Sequence, residues 1–386
     1  MTNYTPRPIP QPQPRISAIK VIAAIIAALF AALLGLLVLL VIGAETGLVE
    51  LMIGMLCAII PVPIYVMLLL WIDRYESEPL WMLATTFFWG AFVAIFIALV
   101  FNTGVEIIAM IATRSDEVAS HVGAVISAPI VEESAKALIL VIFFFWKKDE
   151  FDGIVDGIVY AGMAGLGFAM TENILYYGRA IQKGPEMLTA VFILRGMAAP
   201  FSHPLFTSMT GIGLGWSRQS RNSFVKFVMP IAGFVLAILM HATWNGSAAF
   251  GEGFGFFITY FMVMGPAFVV ILMVIHFSLR REGRIVQEFL YPDYATGFFD
   301  QREYEKLCTI RGRMGMSWNA LWSQGFSGWR LRMRCNQMAS ELAFHRSRTA
   351  RGIGRDPQAA QAREATYRSS LEQLRQQIAQ RQRGTR

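Results

Sequence analysis

Long apolar stretches separated by short polar loops dominate the chain from residue 21 to residue 276. A helix needs about 20 apolar residues to cross the hydrocarbon core of a bilayer, and only helices and closed barrels satisfy their backbone hydrogen bonds there. Hydrophobic residues make up 55% of the 386 residues and charged residues only 16%, which is too apolar for a soluble chain of this length. The sequence therefore predicts an all-α polytopic membrane protein, a bundle of about eight transmembrane helices.

One of the predicted spans, the sixth along the chain, is interrupted. It contains Arg195, Pro200 and Pro204, and a proline removes a backbone hydrogen bond and kinks or breaks a helix. We therefore expect a kinked or broken helix there, which neighbouring helices tolerate by satisfying the freed backbone groups. The predicted spans are 21–42, 51–71, 80–101, 127–146, 154–176, 188–216, 227–245 and 254–276.

Composition divides the chain into three predicted regions. Residues 1–20 form a proline-rich leader, residues 21–279 form the transmembrane bundle, and residues 280–386 form a basic tail that is partly helical or disordered. The short loops on one side of the bundle carry twelve Lys and Arg residues, against three on the other side. By the positive-inside rule, we expect both termini in the cytoplasm.

The tail carries 20 Lys and Arg residues against 10 Asp and Glu residues. Its segment from Arg330 to Arg351 is basic and amphipathic, which is compatible with attraction to anionic lipid or nucleic acid, or with a solvated tail. The solvated tail is favoured, and no nucleic acid is expected, because no motif that combines aromatic and basic residues for nucleic-acid binding is evident.

Three ionisable residues interrupt the fourth predicted span: Glu132, Glu133 and Lys136. A charge near the middle of a membrane helix costs roughly 3 kcal/mol or more, so such residues are candidates for function. On a helix, Lys136 lies one turn from both glutamates and can neutralise one while the other stays available. The alternative interpretation is a buried ion pair that only fixes helix packing.

Polar residues in the next three spans lie at a similar predicted depth. Glu172 and Asn173 are adjacent in the fifth span, His203 lies in the sixth, and His241 and Asn245 share one face of the seventh. With about 1.5 Å of rise per residue, the carboxylates and imidazoles fall roughly 20–27 Å from the cytoplasmic ends of their spans. This depth is the outer third of a core of about 30 Å, so we expect one polar chamber inside the bundle.

Such a chamber has the groups that hydrolysis needs. Its carboxylates and imidazoles can bind a divalent metal such as zinc, or a glutamate can act without metal as the general base for a water. The amide of Asn245 can donate to a developing oxyanion. The three cysteines offer neither a disulfide framework nor a Cys-rich zinc site.

Two functions from other classes are alternatives to hydrolysis. An ion- or proton-coupled transporter or channel also contains buried carboxylates and histidines. Against it, no inverted repeat is recognisable, and a relay would spread across the membrane instead of lying at one depth. A scaffold that recruits a partner through its tail is the third possibility, and it would not depend on Glu132.

The order and spacing of these residues resemble the PrsW family of intramembrane proteases, which is related to the CAAX prenyl endopeptidases and the abortive-infection membrane proteases. The resemblance covers roughly residues 51–276, which it implies are the catalytic core, and it implies a protein of the bacterial cell membrane. The motifs that carry it are E-E-x-x-K at Glu132 to Lys136, G-L-G-F-A-M-T-E-N at Gly165 to Asn173, His203, and H-x-x-x-N at His241 to Asn245.

This resemblance implies an endopeptidase that cuts a membrane-anchored protein, such as an anti-sigma factor, near the extracytoplasmic face. Glu172 stands where the CAAX relatives have a histidine, which leaves both a metal-dependent and a glutamate-type mechanism open. A metal such as zinc would be held by Glu132, Glu172, His203 and His241. The implied catalytic residues are Glu132, Glu133, Glu172, His203, His241 and Asn245, supported by Lys136 and Asn173.

Overall fold

The computed structural model describes residues 18–250, 254–352 and 356–384, and it is 90% helical. These residues contain no strand, so the prediction of an all-α protein is confirmed. Of the predicted leader, only residues 18–20 lie within the described residues. The helices are α1 (Ala18–Thr46), α2 (Leu48–Ile59), α3 (Val62–Ile72), α4 (Leu80–Phe88), α5 (Ile95–Thr113), α6 (Asp116–His121), α7 (Ala128–Trp146), α8 (Ile154–Gln182), α9 (Pro185–Val191), α10 (Ser202–Gln219), α11 (Ser223–Phe250), α12 (Phe254–Thr259), α13 (Gly265–Ala295), α14 (Gln301–Leu307), α15 (Ile310–Ala350) and α16 (Pro357–Gly384).

Six helical segments in the described part of the chain are long and apolar enough to cross a membrane. The predicted spans 127–146 and 188–216 are not among them, because α7 carries three charged residues and the second span is broken between α9 and α10. The membrane-spanning bundle is confirmed, whereas the count of eight stays a prediction. The six segments are Ala18–Thr46, Leu48–Ile72, Leu80–Thr113, Ile154–Gln182, Ser223–Phe250 and Gly255–Ala295.

Helix α8 lies at the centre of the bundle, and every residue from position 155 to position 169 is buried. Its glycines allow α10 to approach closely. A Cβ at Gly157 would collide with the backbone carbonyl of Gly211, and a Cβ at Gly165 would lie 2.7 Å from the nitrogen of Pro204. Small residues at such positions let two membrane helices pack backbone against backbone. This packing brings the start of α10 against the middle of α8.

Four π-helical turns interrupt the bundle helices, at Trp89–Ala94, Val122–Ser127, Phe192–Ala198 and Tyr260–Met264. A π turn leaves backbone groups without their usual helical partner, and such turns often lie at functional sites. Side chains from other helices satisfy carbonyls in three of the turns: Thr171 donates to Ala91 at 2.8 Å, Asn245 to Ala124 at 2.8 Å, and Tyr65 to Gly196 at 2.6 Å. Tertiary hydrogen bonds therefore support these irregular turns.

The tail is helical at most of its described positions, and it packs on two loops of the bundle. Arg348 pairs with Glu76, which lies in the loop between α3 and α4. Arg351 lies 2.8 Å from Asp152, in the loop between α7 and α8. Helix α13 continues without interruption across the predicted boundary at residue 280. The tail therefore lies on the same side of the bundle as these two loops.

Candidate active site

Glu132, Glu133 and Lys136 lie on the face of α7 that points into the bundle. Glu133 and Lys136 are completely buried, and Glu132 is 6% exposed. Lys136 Nζ is 2.6 Å from Glu133 Oε1 and 3.8 Å from Glu132 Oε2. Buried charges persist only when they are paired and hydrogen-bonded. Glu133 and Lys136 satisfy this condition together, whereas Glu132 Oε2 has no hydrogen-bond partner among the residues that the structure describes.

His241, from α11, lies between the two glutamates. Its Nδ1 is 3.0 Å from Glu133 Oε1, and its Nε2 is 3.8 Å from Glu132 Oε2. Because an ionised carboxylate only accepts hydrogen bonds, the neutral imidazole carries its hydrogen on Nδ1 and turns the lone pair of Nε2 toward Glu132. The ring stacks on Phe206 with 5.0 Å between ring centres, which fixes its plane.

His203, near the start of α10, is held through its Nε2 atom, whereas His241 is held through Nδ1. Nε2 is 3.0 Å from Glu172 Oε2, while Nδ1 is 3.1 Å from Lys136 Nζ and 4.0 Å from Glu132 Oε2. Glu172 accepts the Nε2 hydrogen, so Nδ1 is the acceptor that faces Lys136 and Glu132. The absence of a side chain at Gly165 makes this position possible, because a Cβ there would lie 2.8 Å from the His203 carbonyl oxygen.

Glu172, in the C-terminal half of α8, is also held by Arg195, which contacts the same carboxylate oxygen as His203. Arg195, in the π turn 192–198, forms an ion pair with the Glu172 carboxylate. Its Nε donates to Asn173 Oδ1 at 2.6 Å, and its guanidinium lies 3.7 Å from the centre of the Tyr176 ring. Asn173 therefore acts on Glu172 through Arg195, by holding the guanidinium in place.

The structure brings most of the predicted site residues into one network. Asn245 is outside it, since its amide donates to the carbonyl of Ala124 in the π turn 122–127 instead of pointing to an oxyanion position. The residues joined by the contacts above are Glu132, Glu133, Lys136, Glu172, Asn173, His203 and His241.

Two residues of the network were not predicted as site residues. Arg195 was noted only as an interruption of a span, although a charge in an apolar stretch is itself a signal of function. Thr207 donates its hydroxyl to Glu133 Oε2 at 2.9 Å and is completely buried. Its signal in the sequence is the spacing of four residues from His203, which places both on one face of α10.

Glu132, His203 and His241 have the arrangement of a divalent metal site. One donor atom from each of these buried side chains lies within 4.8 Å of the others. Imidazole nitrogen and carboxylate oxygen are the donors of catalytic zinc sites. The donor set fits because Glu132 Oε2 has no hydrogen-bond partner in the described part of the chain and both histidines turn an acceptor nitrogen toward it.

The groups around these three donors favour a metal site in one respect and oppose it in another. Glu133 and Glu172 accept hydrogens from the remote nitrogens of His241 and His203, as carboxylates do behind histidine ligands. Glu172 therefore lies behind His203 and is not one of the three donors, although the sequence predicted it as a ligand. Lys136 donates to His203 Nδ1, so this hydrogen bond and a metal bond to the same nitrogen exclude each other.

An apolar cavity of about 120 Å³ lies beside the network. Its wall includes Leu205, two residues after His203, and Trp244, three residues after His241. Tyr260, in the π turn 260–264, and Phe268, in α13, close it from another side. The cavity therefore provides space for an apolar group beside the chain segments that carry the two histidines.

The fold and the buried carboxylate and imidazole network define a membrane-embedded hydrolase, and comparison with known proteins identifies the family. The family described as PrsW family intramembrane metalloprotease matches residues 78–273, half of the chain. Protease PrsW of Geobacillus kaustophilus (strain HTA426) is 31% identical over 192 residues, which are 50% of this chain and 77% of that protein. Protease PrsW of Bacillus subtilis (strain 168) is 30% identical over 174 residues, 45% of this chain and 72% of that protein. No solved structure matches the chain.

The chain belongs to the PrsW family of intramembrane metalloproteases. The resemblance predicted from the motifs is confirmed, and the protein is a membrane protease whose substrate is a protein in the membrane. The transporter interpretation is not favoured by these comparisons. The match includes all the residues of the network and ends before the tail.

Proposed function

We propose that the chain is an intramembrane endopeptidase that cuts a membrane-anchored protein near the extracytoplasmic face, with Glu132, His203 and His241 as its catalytic centre. One observation carries the assignment of residues. Glu132 Oε2 is 4.0 Å from His203 Nδ1 and 3.8 Å from His241 Nε2, and it has no hydrogen-bond partner among the described residues, which is costly for a buried carboxylate oxygen. Family membership supports the class of reaction.

The residues divide the chemistry between them. A divalent metal such as zinc, when held by Glu132, His203 and His241, would supply Lewis-acid activation of a water and of the peptide carbonyl. Without a metal, the Glu132 carboxylate would instead accept the proton of the attacking water. Glu133 and Glu172 hold the two imidazoles in the required orientation, and Lys136 offsets part of the negative charge of the carboxylates.

The proposed position of the cut follows from the placement of the tail. The tail contacts the loops that carry Arg74, Lys147 and Lys148, which the positive-inside rule assigns to the cytoplasm of a bacterial cell. Glu172 lies 18 residues beyond the start of α8 at Ile154, about 27 Å farther from that side. The site is therefore near the extracytoplasmic face, and both termini lie in the cytoplasm.

The substrate class follows from the chamber and its cavity. A peptide bond reaches the buried site only from a segment that enters the membrane, so the substrate is a membrane-anchored protein. The apolar cavity lined by Leu205 and Trp244 accepts an apolar side chain next to the cut bond. A single-span regulator with an external domain, such as an anti-sigma factor, meets both requirements.

The test compares bacterial membranes that contain the wild type, Glu132→Gln or the control Glu106→Gln. Glu106 is an exposed glutamate in another membrane helix, α5, so its variant makes the same chemical change outside the site. Proteomics should show that the wild type and Glu106→Gln release the same external domains of single-span proteins, whereas Glu132→Gln leaves those proteins intact. Release of the same domains by Glu132→Gln would overturn the catalytic assignment, and release of cytoplasmic domains would overturn the predicted face.

A further inference from the structure

Helix α15 is folded back on itself into a helical hairpin. Gly325 has φ 69° and ψ −169°, a conformation that glycine adopts far more readily than other residues. Residues 310–324 form the first arm and residues 326–350 form the second arm. Arg313 Nη1 donates to Ser340 Oγ at 2.6 Å, and Ser317 Oγ lies 3.4 Å from Met333 Sδ, so the arms run antiparallel.

The first arm has a stripe of large apolar side chains that are exposed. Met314, Trp318 and Trp322 are four residues apart and are 39%, 52% and 84% exposed. Arg313 and Ser317, on the opposite face, are buried against the second arm. The first arm is therefore amphipathic, and its apolar face points away from the rest of the tail. An exposed apolar face of this kind marks an interaction surface.

The first arm begins close to the membrane surface. Tyr75, three residues after the end of α3, donates its hydroxyl to the carbonyl of Cys308 at 3.2 Å, and the Arg313 guanidinium lies 4.8 Å from the centre of the Tyr75 ring. The carbonyl oxygen of Cys308 is so close to Gly283 that a Cβ there would lie 2.7 Å from it. Gly283 is four residues beyond Leu279, the last residue of the apolar part of α13.

The second arm is attached both to α13 and to the loops of the bundle. Arg346 donates to the carbonyl of Phe289 at 2.7 Å and pairs with Asp293. Arg348 and Arg351, at the end of the same arm, contact Glu76 and Asp152 in the loops beside the membrane. Both arms therefore lie close to the bilayer surface, and among the described residues the stripe of the first arm stays exposed there.

The composition of the hairpin suits a lipid surface. Tryptophan is enriched at membrane interfaces, where its ring is partly buried and its N–H stays hydrated. Arg311, Arg330 and Arg334 are exposed on the same hairpin, and basic side chains are attracted to an anionic membrane surface. A helix with an apolar face and basic flanks lies in the plane of the interface.

We propose that the first arm of the α15 hairpin lies on the bilayer surface on the tail's side of the membrane, with Trp318 and Trp322 among the headgroups and the arginines on anionic lipid. The bound ligand is thus anionic phospholipid of the membrane that the bundle already spans. The end of the second arm, at Arg348 and Arg351, contacts the loops between bundle helices. Lipid contact by the first arm therefore adds a second attachment that holds the tail against the bundle.

The full-length protein tests this inference when a dansyl amino acid replaces Trp322 and, in a control variant, Ser369. Ser369 is exposed on α16, away from the stripe. Both variants are reconstituted into phosphatidylcholine vesicles with and without phosphatidylglycerol, and lipids brominated near the headgroup serve as quenchers. We expect at least about threefold stronger quenching at position 322 than at position 369, together with blue-shifted emission, because the stripe lies in the interface. The quenching at position 322 should be stronger in the anionic vesicles.

Two results would overturn the inference. Equal quenching at the two positions in anionic vesicles would mean that the stripe is not in the interface. A probe at position 322 that bromolipid does not quench, but that becomes shielded as the protein concentration rises in detergent, would mean that a second copy of the chain covers the stripe. Because neither position belongs to the catalytic network, the result does not depend on the proposed protease mechanism.

Discussion

His241 Nδ1 lies 3.0 Å from Glu133 Oε1, and this contact decides which nitrogen of the histidine faces the centre of the site. The carboxylate accepts the Nδ1 hydrogen, so the Nε2 lone pair faces Glu132 Oε2 across 3.8 Å. Glu133 is in turn held by Lys136 at 2.6 Å and by Thr207 at 2.9 Å. One completely buried carboxylate thus links α7, α10 and α11 at the level of the site.

We predict that Glu133→Gln keeps the fold but lowers the rate of substrate cleavage by about 10- to 100-fold, as loss of a carboxylate behind a histidine ligand typically does. The amide removes the negative charge that orients His241 and pairs with Lys136. The measurement is the cleavage rate of purified protein in lipid vesicles. Ser134→Ala is the control, because Ser134 is exposed and bonds only the carbonyl of Ile130 at 2.6 Å in the described residues. Wild-type rates for Glu133→Gln would show that His241 does not depend on this contact.

Arg195 offers a second prediction, because it was not anticipated as part of the site. Arg195→Met removes the cation that pairs with Glu172, so the carboxylate that holds His203 loses its anchor. We expect cleavage to fall by about tenfold or more. Arg179→Met is the matched control, because the Arg179 and Glu45 side chains are 49% and 43% exposed and such pairs contribute little. Equal rates for the two variants would contradict a role for Arg195 in positioning Glu172.

Metal content gives a third prediction, which does not depend on a known substrate. Wild-type protein purified without chelators should hold about one divalent ion per chain, since a catalytic site of this type binds a single ion. His241→Ala should lower this content at least about tenfold, whereas His121→Ala, which changes a histidine packed on Phe250, should leave it unchanged. Elemental analysis by plasma mass spectrometry measures the content. The same content in both variants would favour a glutamate-type mechanism.

Buried carboxyls in the loop between α3 and α4 predict a pH dependence of stability. Burial raises the pKa of Asp73 and of Glu78 well above their ordinary values, and the charges of Asp156 and Asp73 raise the pKa of Glu78 further. Glu78 also accepts a hydrogen bond from Tyr160, which lowers its pKa by less. The folded state therefore keeps protons that the unfolded state releases above about pH 4. Stability must then fall as the pH rises from that value through the raised pKa of the folded state.

Glu78→Gln tests this linkage, because the amide stays neutral at every pH. The midpoint of thermal unfolding in detergent should fall between about pH 5 and pH 8 for the wild type, and it should fall less for Glu78→Gln. Glu186→Gln, at an exposed position of α9, is the control and should follow the wild type. Parallel curves for all three proteins would show that Glu78 does not titrate with a raised pKa.

Much of the site could be predicted from the sequence because charged and polar residues in apolar helices are costly and therefore few. Glu132, Glu172, His203 and His241 stood out for this reason, and helix rise alone placed them at one depth. The all-α class followed from the same apolar stretches. These predictions rest on local properties of single helices.

What the sequence did not predict depends on contacts between helices. Asn245 shares a helix face with His241, but its partner is the Ala124 carbonyl of a π turn, which no periodic pattern reveals. The predicted span 80–101 ends twelve residues before the helix does at Thr113. The hairpin at Gly325 was also missed, since an isolated glycine inside a helical pattern does not by itself mark a reversal.

The most direct test of the account is the cleavage rate of Glu132→Gln in purified, reconstituted protein. Glutamine keeps the size of Glu132 but is neither an anionic metal ligand nor a base for the attacking water, so the rate should fall by about a hundredfold or more relative to the wild type. Glu106→Gln, reconstituted in the same way, should cleave at the wild-type rate. A Glu132→Gln protein that cleaves the substrate as fast as Glu106→Gln would contradict the claim that Glu132, His203 and His241 form the catalytic centre.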